Sequence, residues 1–155
     1  MNKNPVRPAV FHHAYAALPV SKKLLFKTTA AIYSGEKIPA RRIVHVIFCS
    51  DYLVKKLNAK FRNKPYPTDV LSFNYDEDDF FGELYISLQR AKVQARRYKV
   101  PFNHEVARLL VHGMLHLCGF DHERDEDRKR MEAREKRYYR HFVGRYVFSD
   151  LKNAQ

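Results

Sequence analysis

Three histidines stand close together in the segment Val111-His112-Gly113-Met114-Leu115-His116-Leu117-Cys118-Gly119-Phe120-Asp121-His122. On a helix, positions four apart lie about 40° apart around the axis, so His112 and His116 project from one face. Two imidazoles one turn apart can both reach a single divalent ion. Gly119 falls where a helix can end on a left-handed residue, which glycine adopts without steric cost. The chain can then turn back and deliver His122 as a third ligand. Three neutral imidazoles with an open fourth position describe a catalytic zinc site better than a structural one, which is usually closed by four ligands and rich in cysteine. The expected cofactor is one Zn2+ ion, since three imidazoles favour zinc among the available metals.

The neighbours divide by geometry. Cys118, two residues after His116, lies about 200° round the helix and is expected to pack, not to ligate. Glu105 precedes His112 by two helical turns and faces nearly the same way. It is a candidate to orient a ligand histidine or to act as a base at longer range, with ion pairing to Arg108 as the alternative. Asp121 is a candidate to support His122, or to cap the turn that follows. The pattern His-x3-His-x2-Gly-x2-His matches the ligand frame of the metzincin proteases at every ligand position. The general-base glutamate that follows the first histidine in those enzymes is here Gly113, which disfavours peptide hydrolysis.

These residues need elements to hold them. Residues 8–17 are a weak strand candidate. Ser21 caps a predicted helix through Tyr33, with Gly35 positioned to end it. Residues 42–48 read as a buried strand, and Ser50 or Asp51 caps a helix to about Lys60. Pro65 and Pro67 mark a loop. Val70–Tyr75 and Glu83–Ile86 form a predicted hairpin around the acidic run Asp76–Asp79. Ser87 caps a helix to about Tyr98, Pro101 breaks it, and helices are expected over Asn103–Cys118 and Asp125–Phe142. Strands in the first half and helices in the second imply one α+β layer fold in a single domain over residues 1–155.

Composition narrows the function. The chain has 155 residues, 29 Lys+Arg against 17 Asp+Glu, and a net charge of +12. Such a surplus suits polyanions, either nucleic acid or an anionic membrane face, and equally a solubility charge spread evenly over the surface. Two cysteines, Cys49 and Cys118, make no disulfide framework and suit a reducing compartment. No apolar run is long enough to span a bilayer, and no signal peptide is evident, so a cytoplasmic location without membrane attachment is expected.

The sequence resembles the YbeY family of single-strand-specific endoribonucleases, the bacterial ribosomal RNA maturation factors. Three blocks carry the resemblance. The first is His112-Gly113-x-Leu115-His116-Leu117-x-Gly119-Phe120-Asp121-His122, where Tyr is usual at the Phe120 position. The second is Leu57-Asn58, Phe61-Arg62-x-Lys64 and Pro67-Thr68-Asp69-Val70-Leu71-Ser72-Phe73. The third is Gly82-Glu83-Leu84-x-Ile86-Ser87, where Asp is commoner than Glu83. Together they cover about residues 43–140, the expected core.

The resemblance implies a small mixed four-stranded sheet flanked by helices, with the first two histidines on a central helix. It implies zinc at His112, His116 and His122, and catalytic roles for Arg62 and His112. The setting it implies is maturation of the 3′ end of small-subunit ribosomal RNA and ribosome quality control, with single-stranded RNA and the small ribosomal subunit as partners.

Without the resemblance Arg62 reads first as an ordinary surface arginine; its chemistry nonetheless suits the role the resemblance implies. A guanidinium holds two phosphate oxygens at once and stays charged at any working pH, and Lys64 adds a second charge. Thr68, Asp69 and Ser72 are expected to fix the loop through side-chain to backbone hydrogen bonds. With Gly113 in place of a glutamate, the attacking group could be a water acidified by the metal or the RNA's own 2′-hydroxyl. Arg96, Arg97, Arg134 and Arg137 are candidates for a track along the RNA backbone, with Tyr98, Tyr138 and Tyr139 as stacking candidates. Two other classes remain open at this stage: a ribosome-associated RNA-binding factor whose metal is structural, and, less favoured, a metalloprotease.

Overall fold

The computed structural model describes residues 9–13, 20–75 and 77–140. In chain order the elements are β1 (Ala9–His13), α1 (Lys22–Gly35), β2 (Ile43–Cys49), α2 (Asp51–Arg62), β3 (Val70–Asn74), β4 (Phe80–Ser87), α3 (Leu88–Tyr98), α4 (Phe102–Leu117) and α5 (Asp125–Tyr139). The strands form one mixed sheet in the order β1-β2-β4-β3. β1 and β4 run parallel to β2, and β3 closes an antiparallel hairpin with β4. The fold is therefore the α+β arrangement expected, with four strands and α4 at its centre.

Local chemistry explains most boundaries. Ser21, Ser50 and Ser87 cap α1, α2 and α3 by accepting from Leu24 N, Leu53 N and Arg90 N at 3.3, 3.4 and 3.2 Å, which satisfies a backbone donor left over at each helix start. α2 runs on to Arg62 and stops at Asn63, which takes the left-handed conformation (φ 54°). The helix thus runs two residues past the expected end at Lys60, and Arg62 is its last residue. α5 starts as expected, and its expected end at Phe142 lies outside the described residues, as do residues 8 and 14–17 of the strand candidate.

Gly35 does not act as the predicted stop. It is the last residue of α1, and the left-handed residue beyond it is Lys37 (φ 55°). The glycine is required by packing, because a Cβ there would overlap the hydroxyl of Tyr138 on α5.

One face of the sheet and α4 build the main core. Val44, Val46 and Phe48 from β2 with Leu84 and Ile86 from β4 pack with Leu109, Leu110, Val111, Met114 and Leu115 of α4. α1, α3 and α5 each pack against α4. A smaller cluster of Cys49, Val54 and Leu71, joined by Leu57 and Phe73, seats α2 on the other face.

Candidate metal centre and substrate cavity

α4 places His112 and His116 one turn apart with their Nε2 atoms 3.1 Å from each other. Both rings are oriented from behind. His112 Nδ1 lies 2.6 Å from Glu135 Oε1 on α5, and His116 Nδ1 lies 3.0 Å from the Phe120 carbonyl oxygen. A carboxylate and a carbonyl accept only, so Nδ1 carries the proton in both rings and each Nε2 lone pair faces the common centre.

The turn after α4 supplies the third imidazole. Gly119, at φ 93°, donates to the His116 carbonyl at 3.0 Å, and Phe120 N donates to the Leu115 carbonyl at 3.0 Å. These two bonds are the Schellman closure of a helix C-terminus. They aim the Phe120 carbonyl at His116 and return the chain so that His122 faces both other rings, with centroids 5.8 and 5.1 Å from those of His112 and His116.

One ligand nitrogen from each histidine falls within a 4.8 Å group that could hold a metal ion. Two nitrogens on a tetrahedral zinc are about 3.3 Å apart for bonds of roughly 2.0–2.1 Å, so the His112–His116 separation fits. Burial, then the charges of His112 and His122, holds the His116 pKa below its ordinary value, which keeps the imidazole in the neutral form that binds metals. Cys118 points away into the core, and burial pushes its thiol up to about 12. It is a packing residue with no thiolate to offer.

The histidines open onto a cavity of about 500 Å³ whose wall includes Arg62, Lys64, Asp69, Asn74, Asp121 and Glu123. Arg62 Nη2 donates to the Ser72 carbonyl at 3.1 Å. β3 is tied to α4 beneath the cavity: Ser72 Oγ donates to the Gly113 carbonyl at 3.2 Å and Asn74 Nδ2 to the Leu117 carbonyl at 2.7 Å. Asp69 Oδ1 accepts from Val70 N at 2.9 Å, which fixes the loop before β3.

Gly113 shows why no glutamate follows the first histidine. A Cβ there would meet side-chain carbons of Leu84 and Val70 at 3.0 and 3.1 Å. The position faces the sheet, and a side chain there would have to displace Leu84 and Val70.

The remaining candidates are placed elsewhere. Glu105 is buried and both its oxygens accept from Arg108, with Nε to Oε2 at 3.0 Å, so the carboxylate that meets a candidate ligand histidine is Glu135 instead. Asp121 Oδ1 accepts from His122 N and Glu123 N at 2.6 and 3.1 Å, the turn-capping alternative. Arg134 lies 3.5 Å from Glu36 and over the Phe120 ring, and Arg137 lies over Tyr138. Arg96 and Arg97 sit in the last turn of α3. None of these four arginines is among the described residues lining the cavity. Tyr138 and Tyr139 are buried and present no face to a base.

Glu135 had escaped the reading of the sequence, although a signal was present. Met131, Glu135 and Tyr138 recur at helical spacing and form the buried stripe of α5, so a carboxylate on that stripe requires a polar partner.

The family model described as Endoribonuclease YbeY matches residues 16–143. The chain belongs to the YbeY family. Relatives named endoribonuclease YbeY include one from Chlorobium phaeobacteroides, 37% identical over 98 residues, covering 63% of this chain and 69% of the relative. Another, from Phytoplasma mali, is 39% identical over 113 residues, with 72% and 75% covered. The solution structure of a Thermotoga maritima protein superposes with a TM-score of 0.59 at 31% identity, covering 85% of this chain and 87% of that one. The YbeY match spans every element from α1 to α5, and so includes both Glu135 and the histidines.

Proposed function

We propose that the chain is a zinc-dependent, single-strand-specific endoribonuclease acting in ribosomal RNA maturation, at the 3′ end of small-subunit RNA, and in ribosome quality control. Residues 1–155 are read as one such domain. Membership in a family whose relatives bear that enzyme's name supports the activity. The observation that carries the chemistry is the convergence of three imidazoles in one cavity with Arg62 and Lys64.

His112, His116 and His122 would hold the ion. Bound zinc supplies Lewis-acid polarisation of a phosphate oxygen and brings the pKa of a water towards about 7. Glu135 and the Phe120 carbonyl keep the protons of His112 and His116 on Nδ1, so both Nε2 atoms stay available as ligands. Arg62 has five N–H donors and uses one on the Ser72 carbonyl, which aims the guanidinium and leaves a fork for a phosphate. There it stabilises charge that develops on the phosphate oxygens in the transition state. Lys64 adds a point charge for a neighbouring phosphate.

The test is metal content and cleavage of unstructured RNA by the purified protein beside His116→Ala. Zinc with cleavage in the wild type, and loss of both in the variant, is the expected result. Metal-bound protein without cleavage would instead support a binding factor with a structural metal. Among the products, a 2′,3′-cyclic phosphate end would identify the 2′-hydroxyl as nucleophile.

A further inference from the structure

The two cations of the cavity wall belong to the run Phe61-Arg62-Asn63-Lys64-Pro65-Tyr66, in which an aromatic ring flanks the cations on each side. Phe61 is 59% exposed and Tyr66 is 54% exposed. Neither ring lines the cavity itself; both stand in water close in sequence to its two cations, with Lys60 Nζ 5.2 Å over the Phe61 ring. Rings so exposed are out of place in a core-building role, since burying each one would be favourable.

The backbone that displays them is held firmly. Asn58, buried on α2, donates through Nδ2 to the Tyr66 carbonyl at 2.7 Å, and its own carbonyl accepts from Lys64 N at 3.2 Å. Pro65 and Pro67 fix their own φ angles on either side of Tyr66. The Phe61 ring stands edge-on to Phe73, with centroids 5.5 Å apart at 70°. A segment fixed this way loses little freedom on binding.

We propose that Phe61 and Tyr66 are stacking platforms for unpaired bases on either side of the phosphate held by Arg62 and Lys64; this rests on the nuclease reading above. A ring that stacks makes no hydrogen bond to a base edge, so it accepts any base but needs an open base face. Bases inside a duplex have none to spare. Such platforms would select single strands and tolerate any sequence. They also replace Tyr138 and Tyr139 in the role suggested by the sequence.

The chain contains no Trp, so Phe61→Trp and Tyr66→Trp each install a single emitter. On titration with oligouridylate, both are expected to be quenched. Phe61→Ala and Tyr66→Ala should each weaken binding roughly 5- to 150-fold, the range for loss of one stacked base. Abasic residues at the flanking positions should erase the difference between wild type and alanine variants. Urea midpoints check that the variants are folded. Unquenched tryptophans, or alanine variants that bind like a wild type that still binds and cleaves RNA, would overturn the platforms and leave the nuclease reading standing. A wild type that neither binds nor cleaves RNA would overturn both.

Discussion

His112 and His116 each commit Nδ1 to an acceptor, and these two contacts decide how well the site is organised for a metal. Without the Glu135 carboxylate, the His112 ring can rotate or change tautomer, and its Nε2 is no longer held towards the centre. Glu135→Gln should therefore weaken zinc binding by about 10- to 100-fold. Chelator competition would measure this, and unchanged affinity would argue that the contact is only structural. The pH dependence follows from His116. Its folded pKa lies below the ordinary 6.5, so below that value the unfolded chain takes up a proton that the folded chain resists. Stability of the metal-free protein is expected to be full above this value and to decline as pH falls towards the depressed folded pKa. His104, held low by burial, acts in the same direction. Urea midpoints should be lower at about pH 5.5 than at about pH 7.5, with a smaller gap in His116→Asn.

At the level of elements, α5 backs the candidate metal centre through Glu135, and Gly35 sets how closely it approaches α1. Tyr138 fills the space a side chain at Gly35 would need, and its hydroxyl donates to Glu36 Oε1 at 2.5 Å. Gly35→Ala should push α5 outward, cost about 1–3 kcal/mol, and weaken zinc binding although it touches no histidine. Thermal unfolding with and without zinc would show both effects. The same pair explains what was legible in the sequence. The serine caps, the left-handed Gly119 and the frame of three histidines depend on spacings within a few residues, and each could be read directly. The contact between His112 and Glu135 spans 23 residues and exists only because α5 packs on α4. Gly35 looked like a helix stop because its local chemistry allows one. Its requirement comes from a tyrosine far along the chain. Glu105 likewise had the right helical phase, but that phase leads it to Arg108 within the core.

Across the whole molecule, the +12 charge has a narrower use than its size suggests. Arg134 and Arg137 are engaged on α5, and the cations at the cavity are Arg62 and Lys64. No helix of the described residues is long and apolar enough to cross a membrane. If phosphates are drawn by this charge, RNA affinity should fall steeply with salt, and Lys64→Ala should reduce the slope of log affinity against log salt by about 0.7 for a single strand. A flat salt response would contradict an electrostatic approach.

The Schellman turn has one more consequence. By ending α4 beside the histidines it leaves the carbonyl end of a 16-residue helix next to the ligand nitrogens, where the aligned peptide dipoles amount to roughly half a negative charge. That field draws a cation inward and turns a phosphate away from the same side. For the reaction proposed above, this would set the direction of a phosphate's approach, from the side of Arg62, before any base is touched.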